Sequence, residues 1–272
     1  MTGFALAYSA AQPNRPTRHS MTPKRTRRTA ITAPSPIEPA SESGTRQLML
    51  ETAERLFAQD GLDSVPLHRI VQDSGQRNRS ALRYHFGSRP EVVAHVINMR
   101  MPVVNARRHV ALDEVEAQPS GFGVRDVMLA SAQALAQVMD QEHWGRDYVR
   151  IISQANFNPA ACRYDLIPNE STSSLRRVRS LITALLPGVP GPILDERLLW
   201  AEDTVVMTMG RLARIGAAAA GTNVLHNLAD HCTGALQAEV SPAARGRRET
   251  PAFAVTRHLA ARPHEAQRIT RP

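Results

Sequence analysis

Residues 45–89 read TRQLMLETAERLFAQDGLDSVPLHRIVQDSGQRNRSALRYHFGSR, and this stretch decides the fold. Leu48, Met49, Ala53, Leu56 and Phe57 recur at three- and four-residue steps, which gives a first helix one apolar face. Gly61 follows at the place where a left-handed residue ends a helix. Ser64 and Pro66 open a second, short helix that turns Leu67, Ile70 and Val71 inward, and Gly75 breaks it. Asn78 is suited to cap a third helix running through Leu82 to Phe86. Ser88-Arg89-Pro90-Glu91 then combines a capping box with a proline in the first turn, so a fourth helix starts there. Nothing in the stretch alternates like a strand.

Outward from it the pattern stays helical. The fourth helix carries Val92, Val93, Val96, Ile97 and Met99 toward about Arg108. Longer helices are predicted at about 124–140, 143–156, 171–186, 195–219 and 222–240, with breaks at the proline-bearing loop 158–169 and at Pro187-Gly188-Val189-Pro190-Gly191-Pro192. Residues 1–42, rich in Pro, Ser, Thr and Arg, have no sustained apolar period and read as a disordered basic tail. Residues 241–272 repeat that composition. The division is a tail (1–42), a helix-turn-helix domain (43–89), a helical ligand-binding and dimerisation domain (90–240) and a second tail. The fold class is all-α.

The formal net charge of +8 favours a polyanionic partner, though Lys24 is the only lysine and arginine bias alone would raise the charge. The cluster Lys24-Arg25-Thr26-Arg27-Arg28 is read as a solvated tail or an arm attracted to phosphate. Two cysteines, Cys162 and Cys232, make no disulfide framework. No secretory signal is recognised, and no apolar run reaches membrane-spanning length, since Arg211 and Arg214 interrupt the best one, so a cytoplasmic setting with no membrane partner is expected. No nucleophile elbow, phosphate loop, zinc-protease motif or dinucleotide turn occurs, so an enzyme is not expected. His226, His231 and Cys232 share one helix, but adjacent side chains diverge there, so neither a metal nor a cofactor is expected.

Two short helices joined by a glycine turn, the second polar and cationic outward, form a helix-turn-helix. Leu82 and Phe86, four apart, supply the inner face and leave Arg79, Ser80, Arg83 and Tyr84 outward. Arginine can donate two bonds to a guanine edge, while serine and tyrosine can reach phosphate or a thymine methyl. Helix geometry alone leaves an ordinary solvated surface helix equally open.

Three blocks in order decide between them: Ala53-Glu54-Arg55-Leu56-Phe57-Ala58-Gln59-Asp60-Gly61-Leu62, Leu67-His68-Arg69-Ile70-Val71 with Gly75, and Leu82-Arg83-Tyr84-His85-Phe86-Gly87-Ser88-Arg89. Over roughly 45 residues they resemble the DNA-binding domain of the TetR (tetracycline repressor) family. The resemblance implies a homodimer that sets two recognition helices in successive major grooves of a near-palindromic operator on double-stranded DNA. It also implies C-terminal helices that form the dimer interface and enclose a pocket for a small-molecule effector, whose identity the sequence does not give. Carried over by position, Arg83 stands where the family has a phosphate-contacting tyrosine, Tyr84 at a base or phosphate contact, and His85 at the family's histidine. Arg89 replaces a phosphate-touching lysine, and Thr45 and Arg46 match the start of the first helix, which abuts the backbone. Arg77 and Asn78 are second-line contacts, in a turn one residue longer than the family's usual one. Met128, Trp144, Tyr148, Phe157, Trp200 and Met207 are candidates to line the pocket. Gly210, Ala213, Ala217 and Ala218 suit close packing at a dimer face of the last two long helices, or an ordinary core. The expectation is a ligand-responsive repressor. The alternatives are a helical interaction module whose basic surface binds an acidic protein, and an activator without an effector.

Overall fold

The structure is a computed structural model that describes residues 42–76, 81–219 and 222–245. The expectations of disordered tails at 1–41 and 246–272, and the cationic cluster at Lys24 to Arg28, lie outside the described residues.

Among the described residues every regular element is helical. α1 (Glu42–Asp60), α2 (Leu67–Asp73) and α3 (Ala81–Phe86) precede the long α4 (Arg89–Glu116). α5 (Val124–Gln141) and α6 (Gly145–Phe157) follow, then three short 3-10 turns between Pro159 and Thr172. α7 (Ser173–Leu185), α8 (Gly191–Ile215) and α9 (Asn223–Gln237) complete the bundle, and a helical turn, α10 (Pro242–Arg245), stands where the sequence reading begins a tail.

The turns fall where the residues dictate. Gly61 ends α1 with φ 98° and Gly75 ends α2 with φ 72°, both in the left-handed region that side chains avoid. At the start of α4, Glu91 Oε2 accepts from the Ser88 backbone N–H at 2.5 Å, and that bond holds the Glu91 carboxyl below its ordinary range. Met49, Ala53, Leu56 and Phe57 are buried as their spacing requires, whereas Leu48 faces outward and Leu50 takes the inner place. α4 runs about two turns further than its apolar pattern suggests. Pro102 removes one backbone donor but sits on the exposed side, while Leu112 and Val115 beyond it are buried and hold the helix on its neighbours.

α1 packs against α2, α4 and α6, so the N-terminal helices and the C-terminal bundle share a core. Inside it Arg100 of α4 grips Glu54 of α1 with two parallel bonds, Nε to Oε1 at 3.0 Å and Nη2 to Oε2 at 2.6 Å. The guanidinium lies over the Trp144 ring, 4.6 Å from its centroid, at the start of α6. Burial raises the Glu54 carboxyl even with Arg100 beside it. From α6, Gln154 Oε1 accepts from the Leu62 N–H at 3.1 Å, fastening the turn that follows α1.

A second polar seam ties α4 to the segment leading into α7. Ser171 Oγ donates to Asn98 Oδ1 at 2.6 Å, and Asn105 Nδ2 donates to the Ser171 carbonyl at 2.6 Å. Arg177 closes the seam on Asp113 and Glu116. Among the described residues no helix is long and apolar enough to cross a membrane.

Removing one member of a buried pair strands the other charge. Glu54→Ala is therefore expected to cost about 3–5 kcal/mol in urea unfolding. Glu54→Leu combined with Arg100→Met should recover most of that loss. A Glu54→Ala protein as stable as the original would show that the pair ties nothing together.

Candidate nucleic-acid interface and helical body

α3 is short, and its exposure is sharply divided. Leu82 and Phe86 are buried, while Arg83 is exposed and Tyr84 is 82% exposed. A tyrosine held that far out gains little from burial and remains available to a partner. His85 is half-buried, its ring 5.1 Å from that of Tyr84 and 6.1 Å from that of Phe86. Arg46, exposed on α1, places its guanidinium 4.7 Å from the Phe86 ring centroid, and Thr45 beside it is half-buried. His95 of α4 closes the other side of Phe86 at 5.3 Å. Phe86 thus brings Arg46 of α1, His85 of α3 and His95 of α4 together, with Tyr84 beside His85. Arg77, Asn78, Arg79 and Ser80 lie outside the described residues.

Arg89 is placed differently from its neighbours. Its Nη1 donates to the carbonyls of Leu62 at 2.7 Å and Val65 at 2.5 Å, in the turn between α1 and α2. The resemblance gives this position to a phosphate contact, but here the guanidinium is engaged in bracing the turn. α2 is braced again by Arg69, whose Nη1 lies 2.5 Å from Asp60 Oδ2.

The six pocket candidates differ in burial. Met128, Trp144 and Tyr148 are buried, with the Trp144 and Tyr148 rings edge to face at 5.9 Å. Phe157 is 82%, Trp200 51% and Met207 38% exposed, all facing outward. Of the two places open to Gly210, a dimer face or a core, its nearest neighbour fits the core. A Cβ there would come within 2.5 Å of Ser153 on α6, so its smallness serves the α6–α8 contact inside the chain. Ala213 is fully buried. On α9, Cys232 is buried with Sγ 3.7 Å from the Ala201 carbonyl, while His226 and His231 are exposed.

Residues 130–237 match the family model described as tetracyclin repressor-like, C-terminal domain. The C-terminal helices are tetracyclin-repressor-like. This domain starts in the second turn of α5 and ends with the last residue of α9. The helix-turn-helix therefore stands outside the match and rests on its own residues and geometry. Among solved structures, a candidate transcriptional regulator from Rhodococcus sp. RHA1 matches with 16% identity, 75% of this chain and 100% of that chain covered, and a TM-score of 0.39. No curated protein matches the chain.

The sequence reading missed the groups that join the tetracyclin-repressor-like domain to α1. Glu54 lies between Ala53 and the Leu56-Phe57 pair on a helix packed from several sides, and a carboxylate among core residues is the one signal that pointed to a buried partner. Arg100 and Gln154 carried no such mark. In the same domain Arg146 Nη1 and Arg150 Nη2 donate to the Ala217 and Ala213 carbonyls at 3.0 and 2.9 Å, capping the end of α8 from α6.

Arg89→Ala frees two carbonyls of the turn and is expected to lower stability by about 1–2 kcal/mol, read as a drop in the thermal midpoint. An unchanged midpoint, with DNA affinity alone reduced, would return Arg89 to the role that the resemblance gives it.

Proposed function

We propose that the chain is a transcription regulator of the TetR type, most specifically a repressor that binds a palindromic DNA operator as a homodimer and releases it on binding a small molecule. The observation that carries this reading is α3: a tyrosine and an arginine held out to solvent on a helix whose other face buries Leu82 and Phe86, with Phe86 set against Arg46 of α1 and His95 of α4. That division suits a helix seated in a major groove, where its backing must be rigid and its tips free. The tetracyclin-repressor-like C-terminal domain agrees with it. Arg83 and Arg46 would supply phosphate attraction and Tyr84 a base or phosphate contact, with Arg79 and Ser80 beside them.

Dimerisation is supported by α8, where Trp200 and Met207, seven residues apart, are both exposed. Large apolar side chains in a row on one helix face fit a second copy of the chain better than water. Two copies would set the α3 helices about 34–36 Å apart, one turn of DNA. Release follows from linkage: a ligand shifts DNA affinity only as far as it prefers one arrangement of the bundle. α4 would transmit the preference, because it holds α1 through Arg100 and α7 through Asn105. A regulator of this kind works in the cytoplasm beside its DNA.

With the tightest-bound genomic fragment as probe, Tyr84→Ala is expected to weaken binding by about 1–3 kcal/mol at fixed salt. Arg83→Ala should lower the slope of affinity against salt by about one. Fluorescence anisotropy at two salt concentrations reads both. Full affinity in both variants would remove α3 from the interface.

A further inference from the structure

Arg108 is a cation inside the bundle that feels the Glu202 carboxyl of α8 only from beyond ion-pair distance. It projects from α4, is only 6% exposed, and makes no ion pair among the described residues. Its Nη1 donates to Ser174 Oγ of α7 at 2.8 Å, and its Nε, also buried, has no hydrogen-bond partner. The polar groups around it are already committed. Ser174 Oγ donates to Asn105 Oδ1 at 2.5 Å, and Asn105 Nδ2 is spent on the Ser171 carbonyl. These neutral groups aim the guanidinium and supply no charge. A buried guanidinium whose Nε–H has no partner can offer that donor to a carboxylate oxygen.

We propose that Arg108 is the anchor for the carboxylate of a small organic acid bound between α4, α6, α7 and α8. Its surroundings suit that guest. The Tyr148 hydroxyl on α6, now 3.2 Å from the Met101 sulfur, has only a weak acceptor and would gain by turning to a carboxylate oxygen. Glu202 on α8 is the carboxyl whose charge Arg108 feels. Desolvation pushes Glu202 up to about 7, so it takes a proton readily when a second anion enters. The site deepens the effector part of the proposed function, but the binding itself is read without DNA.

The test measures thermal midpoints of the full chain with straight-chain monocarboxylates from butanoate to decanoate, with benzoate and with phenylacetate, each beside its primary amide. The expected result is a saturable rise with at least one acid and none with its amide. That acid should bind at least ten-fold more weakly to Arg108→Met, and several-fold more weakly to Arg108→Lys, which keeps the charge and loses the fork. The acid–amide comparison on the unaltered protein decides the matter even where a variant fails to fold. No rise with any acid, equal rises for acid and amide, or an unaltered response in a folded Arg108→Met would each overturn the anchor. An acid bound through Arg108 that leaves DNA affinity unchanged supports the anchor and sinks the effector reading. If no acid of the series binds and the chain still binds its operator, the anchor alone fails.

Discussion

The contact between Glu54 and Arg100, roofed by Trp144, is the joint on which the rest of the molecule depends. It brings together α1, the long α4 and the start of α6. A bidentate pair has one good geometry, so it sets the rotation of α1 against α4 more sharply than apolar side chains, which slide at small cost. Its contribution to stability is modest against a well-packed apolar substitute, because both ions have left water. Fixing an orientation is what the pair does best. The Gln154 bond to the Leu62 N–H and the Arg89 bonds to the Leu62 and Val65 carbonyls hold the next turn of chain to the same frame.

The basic composition takes on a different meaning in this light. Much of the arginine works internally, on carbonyls and carboxylates. Arg89 braces the α1–α2 turn, Arg146 and Arg150 cap α8, Arg197 caps the end of α9, and Arg179 forks onto Asp195. A guanidinium offers five donors in a plane and keeps its charge when partly buried, so it suits such bracing. Net charge is therefore a weak guide to the partner of this chain, and the division of α3 into a buried and an exposed face is a strong one.

Local chemistry was the legible part of the sequence. Gly61, Gly75 and the Ser88–Glu91 cap each mark a backbone requirement met within a few residues, and the apolar spacing of Met49 to Phe57 and of Leu82 to Phe86 follows from helix geometry. The exposed placement of Tyr84 and Arg83 follows from the same period. What could not be read depends on residues far apart in the chain. Arg89 looks like a surface cation until the carbonyls 24 and 27 residues before it arrive beneath it. Gly210 suits a dimer face or a core equally until Ser153 closes on it. The exposure of Phe157, Trp200 and Met207 was not legible because a helix period alone does not tell an inner face from one turned outward. Arg108, in the same way, is one of two adjacent arginines whose surroundings are set by α7 and α8.

The central claim is that α3 reads DNA in two copies, and one measurement addresses it directly: sequencing of the genomic fragments retained by the purified full chain, before and after refolding without bound small molecules. The account predicts enrichment of a short inverted repeat whose half-sites lie one helical turn apart, at about 10 base pairs. Retention without any shared repeat, in both preparations, would contradict it.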